Sequence, residues 1–104
     1  MKKMLNQIVL VGRMVEDVKI IEENEKKYGY MDLKIPRSYK NNEGIFEEDI
    51  IPVKLWGQVA ENVYEYCKKE DVVGIKGRIE NNNNELIIIA DKVTFLSSRK
   101  VGEE

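Results

Sequence analysis

The 104-residue chain contains no histidine and a single cysteine, Cys67. Without histidine there is no Ser-His or Cys-His nucleophile pair and no histidine-containing metal site. One cysteine cannot close a disulfide within the chain or supply a thiolate cage for a metal. The acidic segment FEEDI (46–50) has neither the ligand spacing of a calcium loop nor a partner for acid–base catalysis. These absences argue against an enzyme, and we expect no metal and no cofactor.

Long apolar segments are missing as well. No run approaches the roughly 18 residues that a membrane-spanning helix needs. The N-terminal segment MKKMLNQIVLVG begins with two lysines, but Asn6 and Gln7 interrupt its short apolar part and no small-residue cleavage site follows. We interpret it as a strand and expect no contact with a membrane. The lone cysteine fits the reducing cytoplasm.

An excess of positive charge is also absent, because 17 lysines and arginines face 19 acids, for a net charge of −2. Bulk charge therefore gives no sign of a nucleic-acid-binding protein. The distribution is more informative than the sum. Segment 34–40, KIPRSYK, carries three cations, one tyrosine and no acid.

Strand-like segments make up most of the chain. They are rich in β-branched residues or alternate between apolar and polar residues, and they cover 6–15, 28–36, 45–56, 71–80 and 85–96. Pro36 is expected to end the second strand, with a loop over 37–44. The four asparagines at 81–84 predict a hairpin turn, since asparagine tolerates a left-handed backbone.

One helix is predicted between the third and fourth strands. After Gly57 the apolar residues Val59, Val63, and Tyr66 or Cys67 recur at helical spacing. We expect this helix to continue to the lysines at 68 and 69, whose charge suits a helix C-terminus.

The order of three strands, one helix and two strands predicts an all-β protein with one helix, a five-stranded Greek-key OB-fold barrel. A βαβ sandwich would need more helix, and an immunoglobulin-like sandwich more strands and no central helix. We assign residues 1–97 to the barrel domain and 98–104 to a short disordered C-terminal tail.

The outward face of the second and third strands is a candidate binding surface. Val53 and Leu55 are expected to face inward, which places Lys54 and Trp56 outside. The face and its adjoining loop would carry Tyr30, Lys34, Ile50, Lys54 and Trp56 together with Arg37, Tyr39 and Lys40. Aromatic rings can stack on unpaired bases, at about 1–3 kcal/mol per base, while cations follow the phosphates. The alternatives are that Trp56 packs beneath the helix, that the tyrosines are ordinary half-buried residues, and that the cations are solvated surface charge.

Two segments resemble a known family. LNQIVLVGRMVEDVKI is similar to the opening of bacterial single-stranded DNA-binding proteins, and DIIPVKLWGQVAENVYEYCKKEDVVGIKGRI to their third strand, helix and fourth strand. The resemblance spans about residues 5–96. It implies non-catalytic, largely sequence-independent binding and protection of single-stranded DNA in replication, recombination or repair. The implied location is the bacterial cytoplasm, at the nucleoid.

The resemblance also implies roles for individual residues. Trp56 and Tyr39 match base-stacking positions, Tyr66 a helix aromatic and Lys69 a basic residue after the helix. With Tyr30 and Ile50 extending the platform, the predicted stacking set is Trp56, Tyr39, Tyr30, Ile50 and Tyr66. The predicted phosphate-binding set is Lys34, Arg37, Lys40, Lys54, Lys69, Lys76 and Arg78.

Self-association is implied too, usually as a homotetramer, with a dimer as the alternative. First strands would pair between copies, which would account for a first strand that is apolar on both faces. The predicted interface residues are Ile8, Val9, Leu10 and Val11.

The chain departs from the family pattern at several positions. Ile50 stands where relatives have a third aromatic, Val18 replaces a proline after Asp17, and the hairpin at 81–84 lacks a tryptophan. No acidic tail motif for recruiting repair and replication enzymes precedes Glu104, so the chain is either naturally tailless or shortened.

Two other functions are compatible with these residues. The first is a dimeric primosomal-type accessory OB protein that docks replication proteins. The second is an OB module acting purely in protein assembly, which would have no affinity for oligo-dT.

Overall fold

The computed structural model describes residues 4–98, which form six β-strands and one helix. The elements are β1 (Ile8–Met14), β2 (Lys19–Glu23), β3 (Lys26–Lys40), β4 (Phe46–Trp56), α1 (Gly57–Tyr66), β5 (Val72–Asn82) and β6 (Glu85–Ser97). The strand order is β1-β5-β6-β4-β3-β2, and an additional β1–β3 pairing closes the sheet into a barrel. This confirms the predicted OB-like barrel with one helix. Of the predicted tail, all but residue 98 lies outside the described residues.

The first part of the chain forms two strands, β1 and β2, separated at residues 15–18. β1 pairs with β5, and at its end also with β3, where Met14 lies opposite Leu33. Gly12 lies at this junction. A Cβ built on Gly12 would come within 2.7 Å of Cγ1 of Ile35, so the absence of a side chain permits the close approach of β1 to β3.

The prediction that Pro36 ends a strand is wrong. β3 continues to Lys40, because the fixed φ of proline is compatible with an extended backbone and the ladder to β4 shifts register beyond Pro36. The loop is confined to residues 41–45. There the side-chain oxygen Oδ1 of Asn41 accepts hydrogen bonds from the backbone N–H groups of Glu43 (2.8 Å) and Ile45 (3.0 Å).

The inward faces of β3 and β4 form the centre of the core, as the alternation predicts. Met31, Leu33, Val53 and Leu55 are buried, and α1 covers one end of the barrel. The buried core consists of Met14, Val18, Met31, Leu33, Val53, Leu55, Ala60, Val63, Cys67, Val73, Ile75 and Ala90.

The helix ends earlier than predicted, at Tyr66, and the lysines at 68 and 69 lie beyond its last turn. Two carboxylates explain the early end. Oδ2 of Asp71 accepts the backbone N–H of Lys68 at 2.8 Å, and Oδ1 of Asp17 accepts that of Lys69 at 2.6 Å. These side-chain acceptors replace the helical carbonyl partners of both N–H groups.

The β5–β6 hairpin extends past the barrel, because β4 pairs with β6 only over Val53–Leu55. Ile79 on β5 is consequently 38% exposed. The turn itself is as predicted. Asn83 and Asn84 have φ of 52° and 68°, the left-handed pair that a two-residue hairpin turn needs.

Candidate nucleic-acid interface

The outer surface of the β3–β4 ribbon carries a ladder of paired side chains. The pairing places aromatic and cationic residues at one end of the ribbon and a lysine beside an isoleucine further along. The outward pairs are Tyr28–Trp56, Tyr30–Lys54, Asp32–Pro52 and Lys34–Ile50.

Three rings meet at the helix end of this face. The ring centroids of Tyr28 and Tyr30 are 5.6 Å apart with the planes at 87°, and those of Tyr28 and Trp56 are 5.3 Å apart at 53°. Trp56 is 40% exposed and therefore does not pack beneath the helix. We call Tyr28, Tyr30 and Trp56 the aromatic cluster.

The ammonium of Lys54 lies over all three rings. Its Nζ is 4.4 Å from the ring centroid of Trp56, 4.7 Å from that of Tyr28 and 5.8 Å from that of Tyr30. These are cation–π distances, so the lysine is held at the cluster with its charge available at the surface. The single indole thus lies beside a cation because the two interact.

Tyr28 is the functional candidate that the sequence analysis missed. It is half-buried between the other two rings, and its hydroxyl donates to Oε1 of Glu23 at 3.3 Å. Partial burial, followed by the charge of Glu23, raises the pKa of Tyr28 above its usual value. The sequence could have identified Tyr28, because it lies two residues before Tyr30, and residues at that spacing share one face of a strand.

Two of the predicted phosphate-binding residues are already engaged by carboxylates. Arg37 donates from Nε and Nη2 to Asp49 at 3.1 and 3.0 Å, and from Nη1 to Glu47 at 2.9 Å. Arg78 is paired with Glu80 and Asp91. The hydrogen bonds from Arg37 lower the pKa of Asp49, and those to Asp49 raise the pKa of Arg37. The positive charge of both arginines is therefore balanced locally.

Tyr39 and Lys40 do not join the aromatic cluster. They lie at the other end of β3, where Tyr39 is eleven positions and about 35 Å of strand away from Tyr28. The ammonium of Lys40 is 5.6 Å from the ring centroid of the exposed Phe46, so this end has its own pair of a cation and a ring.

Three further predicted residues lie off the ribbon face. Tyr66 is 70% exposed on the last turn of α1, where it lines a cavity of about 240 Å³ between the helix and β6. Lys69 follows the helix, and Lys76 lies on β5 opposite Val9. Among residues 4–98 no group of three or more His, Cys, Asp or Glu could hold a metal ion, and no helix there is long and apolar enough to cross a membrane.

β1 presents an apolar outer face. Val9 and Val11 are exposed, whereas Leu10 packs against the core. One edge of β1 pairs with β5, and a second partner, β3, joins only at Arg13 and Met14. Most of the other edge of β1 is therefore open within the described chain.

The comparisons with known proteins agree on one family. The model of the Single-strand binding protein family matches residues 5–95. The chain is similar to Single-stranded DNA-binding protein 1 of Clostridium acetobutylicum, with 34% identity over 107 residues that cover 92% of this chain and 97% of the relative. It is also similar to Single-stranded DNA-binding protein B of Bacillus subtilis, with 32% identity covering 92% of this chain and 94% of the relative.

Two crystal structures share the fold. The SSB domain of a Synechococcus sp. protein superposes with a TM-score of 0.71 at 20% identity, covering 90% of this chain and 99% of that one. A deletion mutant of the single-stranded DNA-binding protein from Thermus aquaticus superposes with a TM-score of 0.73 at 19% identity, covering 92% and 52%.

Proposed function

The chain belongs to the single-strand binding protein family, whose members are non-catalytic DNA-binding proteins, and on that premise we propose that it binds and protects single-stranded DNA. Binding would depend little on base sequence, because any base can stack on an aromatic ring. The observation that carries the proposal is the exposed aromatic cluster with the Lys54 ammonium held over it.

In the proposed mode of binding, bases stack on the aromatic cluster while lysines neutralise the phosphates. Lys54 supplies charge at the cluster, and Lys34 supplies it further along the same face. Tyr39 and Lys40 would provide a second contact at the far end of the ribbon, with Ile50 as an apolar surface between the two. Tyr66, Lys69 and Lys76 would meet a strand that continues around the barrel. Arg37 and Arg78 are left out of the phosphate-binding set, because carboxylates already balance their charge.

We further propose that the protein self-associates, as a homotetramer or a dimer, through the β1 residues Ile8–Val11. The support is an open strand edge next to exposed valines. Such an assembly would act at the nucleoid in the bacterial cytoplasm, in replication, recombination or repair.

Titration with oligo-dT tests the proposal, because Trp56 is the only tryptophan and reports on its own site. Oligo-dT should quench the emission at low salt. If about four phosphates are neutralised, log K should fall with log salt at a slope of about −3. A duplex of equal length is the control and should quench less, since its bases are already stacked. Unchanged emission with excess oligo-dT would contradict the proposal and favour a module that acts only in protein assembly.

A further inference from the structure

Two cations oppose each other where β1 meets β3. Arg13 and Lys34 are directly paired in the ladder, and their neighbours Met14 and Leu33 are buried, so both charged side chains lie on the outside of the barrel. Like charges directly opposite each other on antiparallel strands are destabilising. The free protein therefore has repulsion at this point that a bound anion would relieve.

Neither cation has a carboxylate partner among the described residues. The ion pairs in residues 4–98 engage Lys27, Arg37 and Arg78, and no carboxylate oxygen lies within 4.0 Å of the charged nitrogens of Arg13 or Lys34. Nη1 of Arg13 donates to the backbone carbonyl of Glu70 at 2.7 Å. That bond orients the guanidinium without cancelling its charge, and it leaves other N–H groups free to donate.

The two side chains line one groove of about 420 Å³ on the outside of the barrel. Val11, Val72 and Pro36 form its apolar walls, and the carboxylate of Glu48 is the acidic group that lines it. Apolar walls beside charges of one sign concentrate the electrostatic field in a cleft. The groove therefore has the positive potential of an anion-binding site, and the negative charge of Glu48 reduces that potential.

We propose that Arg13 and Lys34 bind a phosphodiester group of single-stranded DNA, an inference that rests on the proposed function. A guanidinium can donate two parallel hydrogen bonds to phosphate oxygens, and the ammonium adds a point charge. Lys34 is on the same face of β3 as Tyr30, four residues and about 13 Å along the strand. A strand stacked on the aromatic cluster and following β3 would thus pass from the ribbon onto β1 at this groove.

The first test compares salt dependence. Fluorescence polarisation measures the binding of labelled oligo-dT to the original protein, Arg13→Gln and Lys34→Gln. Two oligomers are used, of about 16 and about 4 nucleotides. With the longer oligomer, each variant should make the slope of log K against log salt shallower by about 0.7, the value for one lost phosphate contact on a single strand. At saturating concentrations the shorter oligomer should still quench Trp56 in both variants, because neither substitution removes a ring of the aromatic cluster.

Three further variants sharpen the comparison. Arg13→Lys should retain most of the slope, because the charge remains. Lys27→Gln removes a cation that pairs with Glu61 of α1, away from the ribbon face, and should leave the slope as it is. Glu48→Gln should tighten binding, since it removes the groove's own carboxylate. Lys34→Gln leaves the bond between Arg13 and Glu70 in place, and so it tests the site even if Arg13→Gln impairs folding.

The second test needs no DNA. Thermal unfolding is followed in pyrophosphate and in chloride at equal ionic strength. The original protein should gain stability in pyrophosphate, whereas Lys34→Gln should melt higher than the original protein in low-salt chloride and lose the gain in pyrophosphate.

The outcomes separate this inference from the proposed function. Normal quenching of Trp56 with unchanged salt slopes and no pyrophosphate effect would overturn the site at Arg13 and Lys34 alone. If pyrophosphate stabilises the protein but oligo-dT neither binds nor quenches Trp56, the groove binds an anion that is not nucleic acid, and the inference is overturned. If the Arg13 and Lys34 variants change the solution mass of the protein but not the slope of log K against log salt, the groove is a contact between copies and the inference is overturned.

Discussion

At the scale of single residues, the position of Trp56 follows from strand alternation and one glycine. Leu55 faces the core, so the next side chain faces out. Gly57 then adopts a φ of 48°, which is favourable for glycine and lets α1 begin directly after the strand. The indole is therefore left outside the barrel, where Lys54 and the two tyrosines surround it.

Tyr28 supports this arrangement, and its removal should weaken binding. Tyr28→Ala takes away the ring that contacts both Tyr30 and Trp56, so we expect oligo-dT binding to weaken by about 1–3 kcal/mol. Fluorescence polarisation of labelled oligo-dT measures the loss. Tyr64→Ala is the matched control, because Tyr64 is an exposed tyrosine of α1 outside the aromatic cluster. Equal losses in the two variants would show that the cluster has no special role.

The sequence predicts which face of a strand a side chain occupies, but it does not predict which side chains pair between strands. Alternation correctly assigns Tyr30, Lys54 and Trp56 to the outside, because it depends only on neighbouring residues. The pairing of Tyr28 with Trp56, and of Arg37 with Asp49, depends on the register between β3 and β4. A register is set by the turn and by packing of the whole hairpin, and no short segment specifies it.

At the scale of elements, the β3–β4 hairpin is held at its far end by an ion-pair network. Arg37 bridges Asp49 and Glu47, and Nδ2 of Asn41 donates to Oε2 of Glu47 at 3.1 Å. The network crosses the two strands where the ladder shifts register. It gives the exposed end of the ribbon a fixed geometry, so Tyr39 and Lys40 are carried on an ordered strand.

Acid should loosen this hairpin end. The pKa of Asp49 is lowered in the folded protein, chiefly by its hydrogen bonds from Arg37, so the unfolded chain binds a proton more readily at this residue. The stability it contributes is present above the ordinary pKa of aspartate and is lost as the pH falls through the folded value. Carboxyl NMR titration should show Asp49 titrating below the usual range, and Arg37→Gln should return it there. An unshifted Asp49 in the original protein would contradict this.

The connection from α1 to β5 contains a strained residue. Glu70 has a φ of 79°, a conformation that favours glycine, while its N–H donates to the carbonyl of Met14 at 2.9 Å. Glu70→Gly preserves the backbone hydrogen bonds and removes the strain, so we expect a gain of about 0.5–1 kcal/mol in the free energy of unfolding. Urea unfolding measures the gain.

The control for Glu70→Gly is the same substitution inside the helix. Glu61→Gly should cost about 1 kcal/mol, because glycine is unfavourable in a helix interior. Changes of the same sign in both variants would refute the assignment of strain to Glu70. The sequence could not predict this loop, since the end of α1 depends on Asp17, a residue 52 positions before Lys69.

At the scale of the whole molecule, the barrel is closed, yet β1 retains an open edge and an apolar outer face. Val9 is 67% exposed, and Val11 lies beside it near Leu96. Val9→Lys places a charge in that face and should shift the solution mass from two or four chains toward one. Ile45→Lys is the control, because it changes another exposed apolar residue, at the hairpin loop. A mass of one chain in the original protein would contradict assembly through β1.

Val9→Lys also distinguishes the DNA affinity of a single chain from the additional affinity that assembly provides. If copies associate through β1, several aromatic clusters can engage one long strand, and the later contacts form at a high effective concentration. Val9→Lys should then bind oligo-dT of about 4 nucleotides as the original protein does, since its cluster is intact. For an oligomer long enough to reach a second copy, its affinity should fall by about 100-fold or more. Titrations with the two lengths measure this ratio. An equal loss at both lengths would mean that β1 influences the ribbon face itself and that each chain binds its strand independently.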